Sequence, residues 1–274
     1  MKTNLTIRVL ALNYIAAVVV TLIVLFFGLR GTLWSDLYGV LFLGFIPVFG
    51  GIHGITLAKA WGGFQSAVGR GIMLLSLGLI SWGIGTYIFS GVYNFILSVE
   101  VPYPSLADVG YILALPLWAA AMIQLSRATG AKYGLRKGSG KIALLAIPTV
   151  VILISYYLLV VVARGGAIPT SDEGLLKLFF DLAYPIGDVV ILTLATLVYG
   201  LSYSYFGGMY KKAIYTILFG FVLMYVADFS FSYTTTLETW YPGDWVDLLF
   251  TTAVLTLALG VAMLDPRAQP QTRT

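Results

Sequence analysis

Ile15-Ala16-Ala17-Val18-Val19-Val20-Thr21-Leu22-Ile23-Val24-Leu25-Phe26-Phe27 decides the class of this chain. It is apolar on every face, so it shows neither the alternation of a membrane β-strand nor the single apolar stripe of a helix lying on a soluble domain. With its flanks it runs from Ile7 to Leu29. An α-helix rising 1.5 Å per residue needs roughly 20 apolar residues to cross about 30 Å of hydrocarbon, so this stretch is long enough to span. Seven similar stretches follow: Leu37 to Trp61, Gly71 to Leu97, Leu106 to Ser126, Ile142 to Ala163, Tyr184 to Phe206, Ala213 to Tyr233 and Trp245 to Leu264. The expected fold is all-α, a polytopic membrane bundle of eight transmembrane helices. Residues 1–264 make one transmembrane domain and 265–274 a short polar cytoplasmic tail.

Composition agrees with that reading. The 274 residues are 59% hydrophobic and 10% charged, with a mean hydropathy of +0.92, whereas soluble domains carry about 25% charged residues. The first apolar run is too long for a signal-peptide core and no small-residue cleavage site follows it, so the first helix is expected to stay. Basic residues gather in every second connection: Lys2, Arg8, Lys59, Arg70, Arg127, Lys132, Arg136, Lys137, Lys141, Lys211, Lys212, Arg267 and Arg273, against Arg30, Arg164 and Lys177 in the others. The positive-inside rule then places both termini in the cytoplasm, in a cell membrane. The net charge of +4 reports this topology and an affinity for anionic membrane lipids; no nucleic-acid partner is expected, since that needs a basic groove or patch.

The second, fourth, sixth and eighth spans each carry an acid near their start, as Asp36, Asp108, Asp188, and Asp244 with Asp247. Three of these openings are alike: Tyr103-Pro104-Ser105-Leu106-Ala107-Asp108, Tyr184-Pro185-Ile186-Gly187-Asp188 and Tyr241-Pro242-Gly243-Asp244-Trp245-Val246-Asp247. A shift of 139 residues superposes Asp108 on Asp247, which predicts a parallel internal repeat of helical hairpins. A first-turn carboxylate caps free N–H groups and faces the positive end of the helix dipole, for about 0.3–1 kcal/mol. Together the acids of this side would also concentrate cations there. Trp34, Trp240, Trp245, Tyr103 and Tyr241 are expected in one aromatic belt, and Trp61, Tyr203, Tyr205, Phe206 and Tyr210 in the other. Gly50 and Gly54 have GxxxG spacing, and Gly78 and Gly85 offer a second smooth face for close packing. Pro47, Pro116, Pro148 and Pro185 fall within or at the edge of spans and predict kinks.

Capping explains Asp188 and Asp228 least well. A charge at bilayer depth costs at least about 2.5–3.5 kcal/mol, so it usually faces the bundle interior and marks function. Counting turns from the expected span ends puts both at one depth, where facing each other they would hold a proton, a cation or an amine. Asp181 and Tyr184 lie on the stripe of Asp188 and extend the candidate ligand- or proton-binding set, with Asp108 and Asp247 on neighbouring helices. Lys177, four residues before Asp181, offers an ion pair instead. Thr86, Ser90 and Asn94 make a polar stripe on the third span. His53 is the sole histidine, expected as a packed helix residue on the cytoplasmic half. With no cysteine and one histidine, neither a metal site nor a haem or other cofactor is expected.

No nucleotide-binding loop or nucleophile elbow occurs, so no enzyme activity is expected. Gly187-Asp188 resembles the end of the GxGD motif of presenilin-like intramembrane aspartyl proteases. Pro185 replaces its first glycine, however, and no Tyr-Asp pair precedes it.

The run Val99-Glu100-Val101-Pro102-Tyr103-Pro104-Ser105-Leu106-Ala107-Asp108-Val109-Gly110-Tyr111, with the openings at Tyr184 and Pro242, resembles the multi-span N-terminal membrane input regions of bacterial and archaeal signalling proteins. In those proteins such regions precede diguanylate cyclase or sensor histidine kinase domains. The resemblance implies a sensory module. Only Asp265 to Thr274 follow the last span, so it further implies action through a separate signalling protein or a larger membrane complex. The expected function is therefore a sensory or accessory module binding a small molecule or cation in an outward-facing acidic cavity. The alternatives are a proton- or cation-coupled secondary transporter and a scaffold subunit of a larger complex.

Overall fold

A computed structural model describes residues 5–129, 131–168, 170, 174–202 and 211–268. Lys2, Tyr203, Tyr205, Phe206, Tyr210 and Arg273 lie outside the described residues, as does the side chain of Lys132. Among the described residues, eight helices are long and apolar enough to cross a membrane: α1 (Leu5–Phe27), α2 (Leu33–Ala60), α3 (Ala67–Leu97), α4 (Leu106–Ala128), α5 (Gly138–Val162), α6 (Leu175–Ser202), α7 (Lys211–Thr236) and α8 (Trp245–Ala262). The chain is a multi-pass integral membrane protein. A short helix, Ala131–Leu135, joins α4 to α5. Trp61 Nε1 donates to the Leu264 carbonyl at 2.7 Å and Thr6 meets His53 Nδ1 at 3.2 Å, which ties the ends of α2 and α8 and the start of α1 into one end of the bundle. We call this the basic end, and the end holding the α1–α2, α3–α4, α5–α6 and α7–α8 connections the acidic end.

Lipid tails are as apolar as leucine, so helices in a bilayer associate through close packing and hydrogen bonds rather than through exclusion of water. Glycine supplies the close packing here. A Cβ on Gly78 would lie 2.3 Å from Trp118 Nε1, so the indole of α4 lies flush against α3. Trp118 in turn meets the Phe221 ring of α7 edge to face at 5.6 Å. Gly85 and Gly110 bring the backbones of α3 and α4 into contact. Gly50 abuts Ala258 of α8, and Gly54 sits between Ser76 of α3 and Val261 of α8. The GxxxG face is thus used inside the bundle.

These contacts make α2, α3, α4, α7 and α8 the centre, with α1, α5 and α6 around it. The share of buried residues follows this order, at 67% for α8 against 22% for α1 and 17% for α5.

Among the described residues, three spans widen at the acidic end. Gly39–Gly44 of α2, Tyr87–Leu97 of α3 and Tyr156–Val162 of α5 are π-helical. The first ends just before Pro47, whose missing N–H cannot serve the carbonyl four residues back, and a change of hydrogen-bond register there absorbs the defect. The π segments of α2 and α3 face each other through Gly39 against Ser90 and Gly44 against the Tyr87 ring. Ser90, from the polar stripe of the third span, is therefore buried against a helix.

Two expectations are corrected. Helix α6 starts at Leu175, nine residues before the expected Tyr184, because Lys177 and Asp181 are helical rather than flanking. Tyr184-Pro185 consequently lies inside a helix and is not an opening like those at Tyr103 and Tyr241. Trp240 also does more than face lipid. Its indole points inward to Asp247 and packs between the rings of Phe89 and Phe231.

Candidate functional site

The acids of the acidic end separate into those with local donors and those without. Asp108 closes a capping box on α4: its Oδ2 accepts from Ser105 N at 2.6 Å and from Ser105 Oγ at 3.0 Å, while Ser105 Oγ accepts from Ala107 N. Its other oxygen accepts from Tyr184 OH at 2.6 Å, which ties α6 to the start of α4. Asp244 caps α8 by accepting from Val246 N and Asp247 N. Burial pushes the Asp244 carboxyl above its usual range, against the pull of those backbone donors. Asp247 accepts from Gly243 N at 2.8 Å and from Trp240 Nε1 at 3.2 Å. Asp181 accepts from Tyr103 OH at 2.9 Å, and its own carbonyl accepts from the Arg164 guanidinium. Burial, then the adjacent Asp181, pushes the Tyr103 phenol above its usual range, so it remains a donor.

Asp188 and Asp228 are different. Asp188 is buried at 8% exposure, near the middle of α6. Asp228 is half-buried on α7. Their carboxyl groups lie within hydrogen-bonding reach of each other. Asp188 is 13 residues, about 20 Å, from the start of α6, and Asp228 is 8 residues, about 12 Å, from the end of α7, so α6 projects further at the acidic end. Among the described residues no Lys, Arg or His forms an ion pair with either acid.

The surroundings hold the pair in place. Gly187 lets α6 approach Leu115 of α4, where a Cβ would meet Leu115 Cδ1 at 2.4 Å. One turn before Asp228, Tyr225 OH donates to Ser155 Oγ of α5 at 2.9 Å in a buried bond. Neither Tyr225 nor Ser155 stands out in the sequence, since a tyrosine and a serine within apolar spans are common packing residues. Two acceptor-only carboxylates repel at this range, and a proton or a small cation between them would relieve that repulsion.

Six residues stood as candidates. The structure brings Asp188 and Asp228 together, and it gives Asp108, Asp181, Tyr184 and Asp247 hydrogen-bond partners that fix helix ends and helix positions. Among the described residues no three of His, Cys, Asp and Glu converge as a metal site. A cavity of about 450 Å³ lies towards the basic end, lined by the ends of α4 and α6, the start of α5 and the short connecting helix. No protein-family model matches the chain, and no curated protein or solved structure does.

Proposed function

We propose that the chain is a membrane-embedded input module that takes up a proton or small cation at Asp188 and Asp228 and passes that occupancy to a separate partner as a shift of α6 against α7. The observation that carries this reading is the contact of two carboxyl groups, Asp188 buried and Asp228 half-buried, neither of which forms an ion pair with a cationic side chain among the described residues. Evolving chains rarely keep such an arrangement for stability, because apolar residues of similar size pack a membrane helix pair at no desolvation cost.

Location favours a mechanical readout. Helix α7 belongs to the packed centre and α6 to the edge, so losing the bridging proton or ion opposes two like charges across the looser of the two helices. The remaining polar ties of α6, Tyr184 to Asp108 and Tyr103 to Asp181, lie towards the acidic end and supply a pivot. The resemblance of the acidic-end motifs to membrane input regions of signalling proteins supports the sensory role.

The chain has no native cysteine, so spin labels can be placed on Leu176→Cys and Leu237→Cys, both exposed near the ends of α6 and α7. In nanodiscs, the distance between them is expected to change between mildly acidic and mildly alkaline buffer, and to stay at one value in Asp188→Asn. An unchanged wild-type distance across pH and across added sodium or potassium contradicts the proposal. Proton or cation flux in proteoliposomes that Asp228→Asn abolishes would instead assign transport.

A further inference from the structure

The cavity at the basic end has a composition that selects its occupant. Its walls are Met122 and Ile123 of α4, Leu144 of α5, and Leu194, Leu197 and Leu201 of α6; Arg127, with Ser126, provides polar lining. The short helix forms its base and is held there by backbone contact, since a Cβ on Gly134 would lie 2.4 Å from the Leu201 carbonyl oxygen. The volume, about 450 Å³, falls within the roughly 300–1,000 Å³ of small-molecule sites.

Arg127 is exposed, and no described carboxylate pairs with it. Arg136 and Lys137 follow on the same connection and Lys141 in the first turn of α5, all exposed. An unneutralised guanidinium at an apolar cleft, placed where helices leave the membrane, matches a molecule with a long apolar chain and an anionic head at the head-group level. A free phosphate ion would leave the leucine walls uncovered. A zwitterionic lipid would bring a cationic group towards the arginine.

We infer that this cleft is a specific site for one anionic phospholipid, with an acyl chain against Leu144, Leu194, Leu197 and Leu201 and its phosphate on the Arg127 guanidinium. The site is independent of the Asp188 and Asp228 pair. A bound lipid there would brace the ends of α4, α5 and α6 against one another.

Native mass spectrometry of the detergent-purified full chain tests this with phosphatidylglycerol, phosphatidylcholine of the same acyl chains, and glycerol phosphate. One phosphatidylglycerol is expected to be retained in preference to phosphatidylcholine, with no retention of glycerol phosphate. Arg127→Gln should cut that retention about tenfold, the scale of one charge-assisted contact. Leu144→Trp, which fills the cleft from an exposed position, should reduce retention of both lipids. Arg267→Gln, elsewhere on the same end, should leave it unchanged. Equal retention of the two lipids by the wild type overturns the inference. So does wild-type retention by folded Arg127→Gln, or an equal loss in Arg267→Gln, which would reduce the effect to general surface charge.

Discussion

A Gly110→Leu chain will not assemble into the monodisperse bundle formed by the wild type. A Cβ at position 110 meets Gly85 N at 2.6 Å, Gly85 Cα at 2.7 Å and the Ser81 carbonyl oxygen at 2.8 Å. All three are backbone atoms, so no side chain can rotate away. The Ser81 hydroxyl also donates to the Gly110 carbonyl at 2.7 Å, and this bond breaks as the helices part. Forcing α3 from α4 further loosens the seat of Trp118 on Gly78. Overpacking usually costs about 1–3 kcal/mol, and a clash with rigid backbone is expected above that range. Size-exclusion chromatography and thermal unfolding followed by tryptophan fluorescence read the outcome. Gly138→Ala is the control, since no atom lies within 4 Å of a Cβ there. Wild-type elution and melting of Gly110→Leu would show that the α3–α4 contact is not what holds the centre together.

Stability in cation-poor buffer is expected to fall as pH rises, and Asp188→Asn is expected to remove the slope. On the proposed function, the folded contact holds a proton that the two acids release in the unfolded chain at neutral pH. Folded protein therefore binds more protons than unfolded protein, and stability is lost with increasing pH. One proton sets the steepest slope at about 1.4 kcal/mol per pH unit. An asparagine amide donates to Asp228 without any added proton, so the variant should be flat across the same range and more stable than wild type at the alkaline end. Adding a small cation should restore wild-type stability there. A pH profile shared by the two proteins would remove the pair from the account.

Much of the fold can be read from apolar length alone. The expected Trp245 to Leu264 and the observed Trp245–Ala262 differ by two residues, and Leu106 to Ser126 became Leu106–Ala128. The rule failed at α6, because Lys177 and Asp181 look like flanks until Tyr103 and Arg164 from preceding loops are seen to satisfy Asp181. Such partners are distant in sequence, and hydropathy carries no trace of them. The same limit explains Asp108, whose capping by Ser105 is visible in the Ser-x-x-Asp spacing, whereas its bond from Tyr184, 76 residues away, is not. The cost of charge in lipid singles out Asp188 and Asp228, whose carboxyl groups lie close together in the structure. Their surroundings, Tyr225 and Ser155, were illegible because hydroxyls within apolar helices usually bond to their own backbone. The lipid cleft was equally hidden, since leucines around a cavity and leucines facing acyl chains give the same sequence.

Infrared spectroscopy reports the proton between the two acids without depending on any downstream response. Purified wild-type protein in nanodiscs should show a protonated-carboxyl carbonyl stretch that persists at neutral pH, disappears on alkaline titration or on cation binding, and is missing from both Asp188→Asn and Asp228→Asn. A wild-type spectrum without that band in cation-free buffer, or with a band that both variants retain, would contradict a shared proton at this pair.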